Sequence, residues 1–449
     1  MFLGAPGLKR ATLAILLLTA VTAVLVSCGS NYNPTGTGSN TIANPATIRV
    51  PVFVSNPLFP NGASNAPVVN VVDGQTDLIS PNVISLGSTA PTPGLMVLFP
   101  NKAFTAVFSS SNNSIAVINN ASQSLSQNSG GTTISITLPD STESIVVGPD
   151  NASGFAALPN SPIPGQLPGQ PPGLVEALDL SNGAISAGIP VAGARFVALS
   201  HNGNRLLALG NRADTITVIA PSSLGTSADP RTDVQSPLFD HPVWATFSND
   251  DSTAYILNCG PECGGTTASV TLLDVNSNLP GPRIPVDAAT VGLLSGNTLY
   301  VAGTKPGANT CTSSATPTLA TTCGEVSAVD LVSMTVKSTA IITDGNHNRM
   351  ELASNNQLFI GARTCTNINV AGSGSGEVRG CLSIFDTGKA TVVVPPSTGD
   401  VTGVQPISRR NAVYVVQNGV LDIYDTSTDK LQTTQVDIIG QAVDVKQVN

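Results

Sequence analysis

The sequence contains few charged and few aromatic residues. Of its 449 residues, 10% are charged and 4% are aromatic, with a single tryptophan. An α-helical protein would need more Glu, Lys, Leu and Ala, so the composition argues against a helical fold. The sequence predicts exposed turns at the three histidines, His201, His241 and His347. The alternative for His241 and His347, which precede inner strands, is a position at the mouth of the channel. The chain therefore offers little for metal ligation or acid–base chemistry.

Basic residues are also scarce. The net charge is −9, and Arg409-Arg410 is the only adjacent basic pair after the N-terminal segment. Phosphate backbones are bound by clustered Lys and Arg. We therefore expect no nucleic-acid partner.

Glycine, proline and small polar residues are abundant instead. The chain has 42 glycines and 33 prolines, and 41% of its residues are hydrophobic. Many short strands joined by turns give such a composition. We therefore expect an all-β protein with enough apolar residues for a large core.

The stretch Ala412–Lys430 shows the repeating unit most plainly. An apolar run, Ala412–Val416, meets Gln417-Asn418-Gly419, and an alternating run, Val420–Tyr424, then ends at Asp425. Asn-Gly between two β-prone runs predicts a hairpin, because both residues tolerate the positive φ of a tight turn. The aspartate favours the next turn, where its carboxylate can accept a backbone N–H.

Seven similar hairpins precede this one. Each has a first run, strand b, and a second run, strand c: Val50–Ser55 with Val68–Asp73, Phe104–Ser109 with Ile115–Asn119, Gly154–Leu158 with Leu174–Asp179, Arg205–Gly210 with Thr215–Ile219, Ala254–Asn258 with Ser269–Asp274, Thr298–Gly303 with Glu325–Asp330, Gln357–Ala362 with Cys381–Asp386, and Ala412–Gln417 with Val420–Asp425. A period near 50 residues with two strong strands per unit is typical of a β-propeller.

Weaker runs extend each unit to four strands, with an inner strand a before b and an outer strand d after several c strands. Gln441–Lys446 resembles an inner strand with no b strand after it, whereas the first hairpin, Val50–Asp73, lacks an inner strand. Joining the two closes the ring and removes two unpaired sheet edges. We expect a single propeller of eight four-stranded blades over residues 47–449, with seven blades as the alternative.

The unit Ala198–Ile219 resembles the YVTN-type propeller repeat. Matching residues are Ser200, Gly203, Arg205-Leu206, Asn211 and Thr215–Ile219, whereas Ala220 replaces the usual aspartate. The resemblance implies a β-propeller. Some propellers of this architecture are lactone hydrolases or quinoprotein-like dehydrogenases, but the matching residues do not imply their activity here.

The N-terminus resembles a bacterial lipoprotein signal. Lys9 and Arg10 precede the apolar run Ala11–Val26, which is short for a membrane span and suits a signal peptide. Leu25–Gly29 is similar to a lipobox, which implies removal of residues 1–27 and lipidation of Cys28. Residues 28–46 would then be a tether, of roughly 23 Å root-mean-square length. Gly29, where an inner-membrane lipoprotein would have Asp, resembles the signal for sorting to the outer membrane. The alternative to a lipoprotein signal is an ordinary secretory signal.

The other six cysteines fall into three local pairs: Cys259 with Cys263, Cys311 with Cys323, and Cys365 with Cys381. An exported protein with clustered cysteines in even number is expected to form disulfides, although the sequence alone leaves other pairings open. Zinc ligation by Cys259 and Cys263 is disfavoured because further ligands are lacking. We expect no metal and no cofactor.

Long loops follow the b strands, and in a propeller these loops share one face. They are Asn56–Pro67, Pro159–Gly173, Cys259–Thr267, Thr304–Gly324 and Arg363–Gly380, and the cysteine pairs lie in or beside three of them. Loops of this length are uncommon unless they are functional or disordered. We expect a lipid-anchored binding or scaffolding module with a protein or glycan partner on this face.

No catalytic constellation is evident in the sequence. The aspartates that end the c strands are explained by turn chemistry, and Trp244 by core packing. The alternative function is a propeller hydrolase or oxidoreductase with its site at the channel mouth. Its nearest candidates are Arg195, Arg349, Asp240 and His241. Convergence of three of these four residues at one channel opening would favour the enzyme.

Overall fold

The eight predicted hairpins form the centres of eight four-stranded antiparallel sheets in a computed structural model of the chain. The structure describes residues 48–61, 64–87, 92–163, 165, 169–226, 229–307, 323–366, 368–369, 378–432 and 436–449. Residues 1–47, including Cys28 and the predicted signal and tether, lie outside the described residues. None of the described residues belongs to a helix long and apolar enough to cross a bilayer.

The blades are numbered from the one that contains the first hairpin, with strands a to d running from the channel outwards. Blade 1 consists of Val445–Gln447, Pro51–Asn61, Ser64–Asp73 and Leu78–Ser85, and blade 2 of Pro93–Leu98, Phe104–Ser109, Ser114–Asn119 and Ser124–Leu125. Blade 3 consists of Ser144–Val147, Ser153–Leu158, Leu174–Asp179 and Ala184–Pro190, and blade 4 of Phe196–Leu199, Leu206–Leu209, Thr215–Ile219 and Arg231–Gln235.

Blade 5 consists of Pro242–Phe247, Thr253–Asn258, Ser269–Asp274 and Leu279–Pro285, and blade 6 of Val291–Ser295, Thr298–Lys305, Cys323–Asp330 and Thr335–Ile342. Blade 7 consists of Asn346–Leu352, Gln357–Arg363, Leu382–Asp386 and Thr391–Val393, and blade 8 of Val401–Pro406, Ala412–Gln417, Val420–Asp425 and Lys430–Leu431. Short additions are strand Ser135–Thr137 in blade 2, the hairpin Ile368–Asn369 with Val378–Arg379, and the 3-10 helices Pro221–Ser223, Gly260–Cys263 and Ser354–Asn356.

The sequence prediction of ring closure is confirmed. Val445–Gln447 pairs antiparallel with Val52–Val54 and becomes strand a of blade 1. Two further backbone hydrogen bonds join Ser55 to Asp444 and Val443, at 3.1 and 3.0 Å. The closing strand begins and ends slightly later than the predicted run Gln441–Lys446. Eight blades, rather than seven, complete the ring.

The turns form at the residues where the sequence predicts them. Asn418 and Gly419 both adopt positive φ, and Gln417 pairs with Val420 across the two-residue turn. The aspartates that end the c strands each accept a backbone N–H from the residue two positions later; they are Asp73, Asp179, Asp274, Asp330, Asp386 and Asp425. These side chains therefore shape turns.

Two predicted loops are partly strand. Asn56–Pro67 extends the first hairpin, because strand b continues to Asn61 and strand c already starts at Ser64. Arg363–Gly380 includes the short hairpin named above. Both segments contain β-prone residues beside the turn residues that led to their prediction as loops.

The apolar core lies between neighbouring blades. Between blades 8 and 1, for example, Val52, Val54 and Val445 pack with Tyr414 and Val416, and all five side chains are buried. Each sheet buries its faces against the next sheet around the ring. Stacking of the blades therefore supplies the hydrophobic stabilisation.

A charged contact strengthens the closing junction. Arg410 of blade 8 donates two hydrogen bonds to the carboxylate of Asp77 in blade 1, at 2.6 and 2.9 Å. The hydroxyl of Tyr414 donates to the same carboxylate. The Asp77 side chain is only 9% exposed, so this bidentate pair is largely shielded from water.

Replacing Asp77 by Asn should lower the free energy of unfolding by about 2 kcal/mol, because it leaves the Arg410 charge without its counter-ion. Asn tolerates the left-handed backbone of residue 77 and so preserves the turn. Urea unfolding followed by circular dichroism measures the change. Asp229→Asn, in an exposed pair with Arg231, is the control and should leave the free energy of unfolding nearly unchanged. Equal effects of the two substitutions would contradict this account.

Candidate functional site: a polar chamber at the channel mouth

The propeller has two distinct faces. The loops between strands b and c and the connections from d to a lie on one face, which we call the loop face. The a–b and c–d turns lie on the opposite face, the turn face. On the loop face the channel opens into a cavity of about 670 Å³, the chamber, lined by Thr142–Ile145, Arg195, Phe196, Pro242–Trp244, His347–Arg349, Arg363, Val443 and Asp444, among others.

Bulges in the inner strands shape this chamber. The pairing of strands a and b shifts between Pro93 and Met96, between Pro242 and Trp244, and between His347 and Arg349. Blade 8 has a similar shift between Val401 and Gly403. A bulge adds a residue and re-aims its side chain. The added residues Leu95, Val243 and Asn348 all line the chamber.

His347 is a buried, neutral side chain on the wall of the chamber. Its ring Nε2 lies 2.9 Å from the carbonyl oxygen of Thr343. Because a carbonyl only accepts, Nε2 carries the proton, and Nδ1 is left with a free lone pair. Burial lowers the pKa of His347 to about 4, which keeps the ring neutral at neutral pH. The sequence prediction of an exposed turn residue was wrong, because strand a of blade 7 starts earlier than expected, at Asn346.

Two arginines occupy the same wall. Arg349 Nε donates to the carbonyl of Thr402 at 2.7 Å, and Nη1 donates to the carbonyl of Asn348 at 3.0 Å. Burial, followed by the positive charge of Arg349, lowers the pKa of Arg363. Arg363 Nε is buried and has no hydrogen-bond partner among the described residues. An anion placed here would offset both the charge repulsion and the missing acceptor.

Blades 7 and 8 concentrate buried polar atoms that lack a protein partner. Within the described part of the chain, these include His347 Nδ1, Asn348 Oδ1, Arg363 Nε and Thr402 Oγ1. The set contains acceptors, a charged donor and a hydroxyl. Buried groups of this kind are costly unless a ligand or solvent completes their hydrogen bonds.

Two carboxylates balance part of the positive charge. Asp444 is almost fully buried, and its oxygens accept the backbone N–H groups of Met96 and Val445 at 2.8 and 2.9 Å. Glu143 forms an exposed ion pair with Arg195, at 3.5 Å. The lining therefore carries three arginines against two carboxylates, a positive excess in an acidic protein.

An aromatic wall lies across the chamber. Trp244 and Phe196 both line it, with ring centroids 6.1 Å apart and ring planes inclined by 37°. Trp244 is half-buried against the blade 5–6 core, which agrees with its predicted packing role. It also presents an aromatic surface to the cavity.

Of the four residues suggested for an enzyme, only two reach the chamber lining. Arg195 and Arg349 line it, whereas Asp240 and His241 do not. The Asp240 carboxylate instead accepts hydrogen bonds from Thr266 and Thr267, at 2.8 Å each. Burial opposes ionisation of Asp240, but hydrogen bonds from His241 and these threonines lower its pKa to about 2. Asp240 and His241 therefore brace a loop.

The third histidine has a structural contact. His201 Nδ1 lies 2.7 Å from an Asp251 carboxylate oxygen, which connects the a–b turns of blades 4 and 5 on the turn face. In the described residues, no group of three or more His, Cys, Asp or Glu side chains is placed to hold a metal ion.

Sequence reasoning missed four residues of the chamber lining: Arg363, Asn348, Glu143 and Asp444. Arg363 was placed at the start of the predicted loop Arg363–Gly380 but ends the observed b strand of blade 7, and the other three lie at or near the loop-face ends of inner strands. Polar residues at the start of an inner strand were the available signal, as in the stretch Asn346–Arg349. The bulges and the convergence of the blades gave no signal in the sequence.

Disulfides hold two of the loops around this face. Cys259 and Cys263 are bonded with their Cα atoms 5.8 Å apart, and Cys365 and Cys381 with theirs 5.3 Å apart. These two predicted pairs are therefore supported. Cys311 lies outside the described residues, so its predicted pairing with Cys323 stays a prediction.

The first of these loops is joined to blade 6 by a partly buried glutamate. Glu262 Oε2 accepts the backbone N–H of Thr304 at 2.7 Å. Burial raises the pKa of Glu262 to about 7, although this hydrogen bond favours the charged form. The protonation state of Glu262 is therefore linked to the stability of this junction.

The sequence matches no protein-family model, and a search of curated proteins finds no similar sequence. Solved structures share the fold. The dihydro-haem d1 dehydrogenase NirN in complex with DHE matches with a TM-score of 0.57 and 11% identity, over 89% of this chain and 75% of that chain. The Dos1 propeller matches with a TM-score of 0.54 and 11% identity, over 80% and 86%. These structural matches show that the chain shares the propeller fold, and at identities this low they show the fold alone. The YVTN-type resemblance stays a prediction.

Replacing Glu262 by Gln should make stability less dependent on pH. The folded protein holds the Glu262 proton up to about pH 7, whereas an unfolded glutamate releases it near pH 4.5, so wild-type stability falls as pH rises through this window. The variant should match wild type near pH 4 and exceed it by about 2 kcal/mol at pH 8. Urea unfolding at several pH values measures this difference. A difference that does not vary with pH would contradict the assignment.

Proposed function

We propose that this chain is a lipid-anchored β-propeller of the bacterial cell envelope that binds an acidic sugar unit of a glycan in the chamber. The observation that carries the proposal is the group of buried, unpartnered polar atoms on His347, Asn348 and Arg363. They belong to residues that line a cavity on the face where the stapled loops lie. This arrangement supports a binding module.

The acidic part of the ligand is recognised by the two arginines of blade 7. Arg363 has an unused Nε–H donor, and its charge lies close to that of Arg349. A guanidinium group binds a carboxylate with two parallel hydrogen bonds. A carboxylate at this position would relieve the repulsion between the two cations.

The hydroxyl groups of a sugar match the remaining atoms. His347 Nδ1 and Asn348 Oδ1 are acceptors, so they require a ligand that donates hydrogen bonds. A simple carboxylate such as acetate would satisfy Arg363 alone, whereas a sugar acid satisfies both kinds of group.

The apolar face of a sugar ring fits the opposite wall. Trp244 and Phe196 offer aromatic surface there, and ligand pockets commonly combine such surface with a few polar groups that fix orientation. The chamber volume of about 670 Å³ lies within the usual range for small ligands. The Cys365–Cys381 bridge begins two residues after Arg363 and would hold this wall in place.

One observation favours an enzyme as the second candidate. His347 has a neutral ring with a free Nδ1 lone pair, and the cationic Arg349 and Arg363 lie on the same wall. A base beside groups that stabilise negative charge is an arrangement found in hydrolases. Conversion of the sugar acid by the purified protein, abolished by His347→Gln, would support this function instead of simple binding.

The single tryptophan, Trp244, gives a direct readout of the chamber. Titration with a hexuronic acid such as galacturonate should change its fluorescence saturably, with a weaker response to the neutral sugar galactose. Arg363→Gln should weaken binding by about tenfold or more, since a charge-assisted pair is lost.

Arg212→Gln is the matched control for this titration, because Arg212 lies on the loop face outside the chamber, in an exposed pair with Asp233. Circular dichroism should show that both variants are folded. The proposal fails if the uronic acid gives no saturable response, as a protein-only partner would predict, or if both arginine variants bind it equally.

The lipid anchor is tested separately through Cys28. Cys28→Ser removes the predicted lipidation site and should move the protein from the membrane fraction to the soluble periplasmic fraction. Immunoblotting of the two fractions from the native host measures the change. A variant that stays in the membrane fraction would refute anchoring through this residue.

A further inference from the structure

Four basic residues gather on the turn face, opposite the chamber. They are Arg49, Lys102, Arg409 and Arg410, and we call them the basic patch. Blades 1, 2 and 8 contribute them through their a–b junctions. Two adjoining surface cavities, of about 510 and 630 Å³, share Lys102, Arg409 and Arg410 among their lining residues.

The protein pairs the positive charge of the patch only in part. Arg410 is paired with Asp77. In the described part of the chain, Arg49, Lys102 and Arg409 form no ion pair with a side-chain carboxylate, and all three are exposed. Lys102 Nζ donates to a main-chain oxygen of Asn449 at 2.9 Å. No described acidic side chain lines either cavity.

Such a concentration of cations is unusual for this chain. The whole sequence has only 19 Lys and Arg residues and a net charge of −9. Acidic proteins are repelled by anionic surfaces unless a local basic surface offsets the overall charge. The turn face also carries the c–d-turn aspartates, and the patch supplies a local basic surface where blades 8, 1 and 2 meet.

The position of the patch along the chain indicates its partner. Arg49 is the second described residue, and Cys28 lies upstream of it by the length of the predicted tether. A tether of roughly 23 Å would keep this part of the propeller near the bilayer in which Cys28 is anchored. Basic side chains near a bilayer are attracted to anionic headgroups.

We propose that the basic patch docks on anionic phospholipid headgroups and thereby turns the loop face and its chamber away from the membrane. The inference rests on the proposed lipid anchor for its orientation, because the anchor brings the turn face to the bilayer. The lipid phosphates bind Arg49, Lys102 and Arg409 as charge-assisted hydrogen-bond acceptors. Without docking, the tether alone would let the chamber face any direction.

The test uses the soluble Cys28→Ser protein, so no acyl chain contributes to binding. It should co-sediment at low salt with vesicles of phosphatidylglycerol mixed with phosphatidylcholine and should not co-sediment with vesicles of phosphatidylcholine alone. Arg49→Gln/Arg409→Gln should reduce the bound fraction by about tenfold, and added salt should do the same.

Arg212→Gln/Arg283→Gln is the control, with the same change in net charge outside the basic patch. It should bind as the parent protein does. Equal loss in both double variants, equal binding to neutral vesicles, or displacement by inorganic phosphate at constant ionic strength would each overturn docking on lipid. Failure of the anchor itself would appear only in the fractionation of wild type and Cys28→Ser, so the two failures are distinguishable.

Discussion

The antiparallel pairing of Val445–Gln447 with Val52–Val54 is the contact on which the rest of the structure depends. It joins the two ends of the propeller and converts an open row of sheets, which would have two exposed edges, into a ring. The Asp77–Arg410 pair and the packing of Tyr414 against blade 1 reinforce the same junction.

Both candidate surfaces are consequences of this closure. The closing strand carries Asp444 to the chamber, where its carboxylate accepts the N–H of Met96 in blade 2. At the other end of the same strand, Asn449 lies beside Arg49 and Lys102 in the basic patch. One short strand thus connects the chamber on the loop face with the patch on the turn face.

Local chemistry made much of the fold predictable. Asn418-Gly419 specifies its hairpin through positive φ, and aspartates such as Asp274 specify the following turn through a side-chain hydrogen bond. The unpaired run near residue 445 predicted closure because a sheet edge needs a partner. In each case the sequence signal and its structural effect lie within a few residues, or follow from counting strands.

The chamber depends on contacts that are distant in sequence, and it was predicted only in part. Arg195 and Arg349 were identified because they begin inner strands. Arg363 and His347 converge only because of the bulge at Asn348 and the start of strand a at Asn346, and neither feature leaves a pattern in the residues. His347 was predicted to be an exposed turn residue before an inner strand, whereas it belongs to that strand and is buried. Asp444 reaches the chamber from blade 1 only after the ring is closed.

The most direct test of the account is a crystal structure of the protein with bound galacturonate. We expect the carboxylate of the sugar to lie within about 3 Å of Arg363 Nε and one of its hydroxyls to donate to His347 Nδ1. The sugar ring should pack against Trp244. A sugar acid bound outside the chamber, or a chamber in which Arg363 pairs with a protein carboxylate and excludes the ligand, would contradict it.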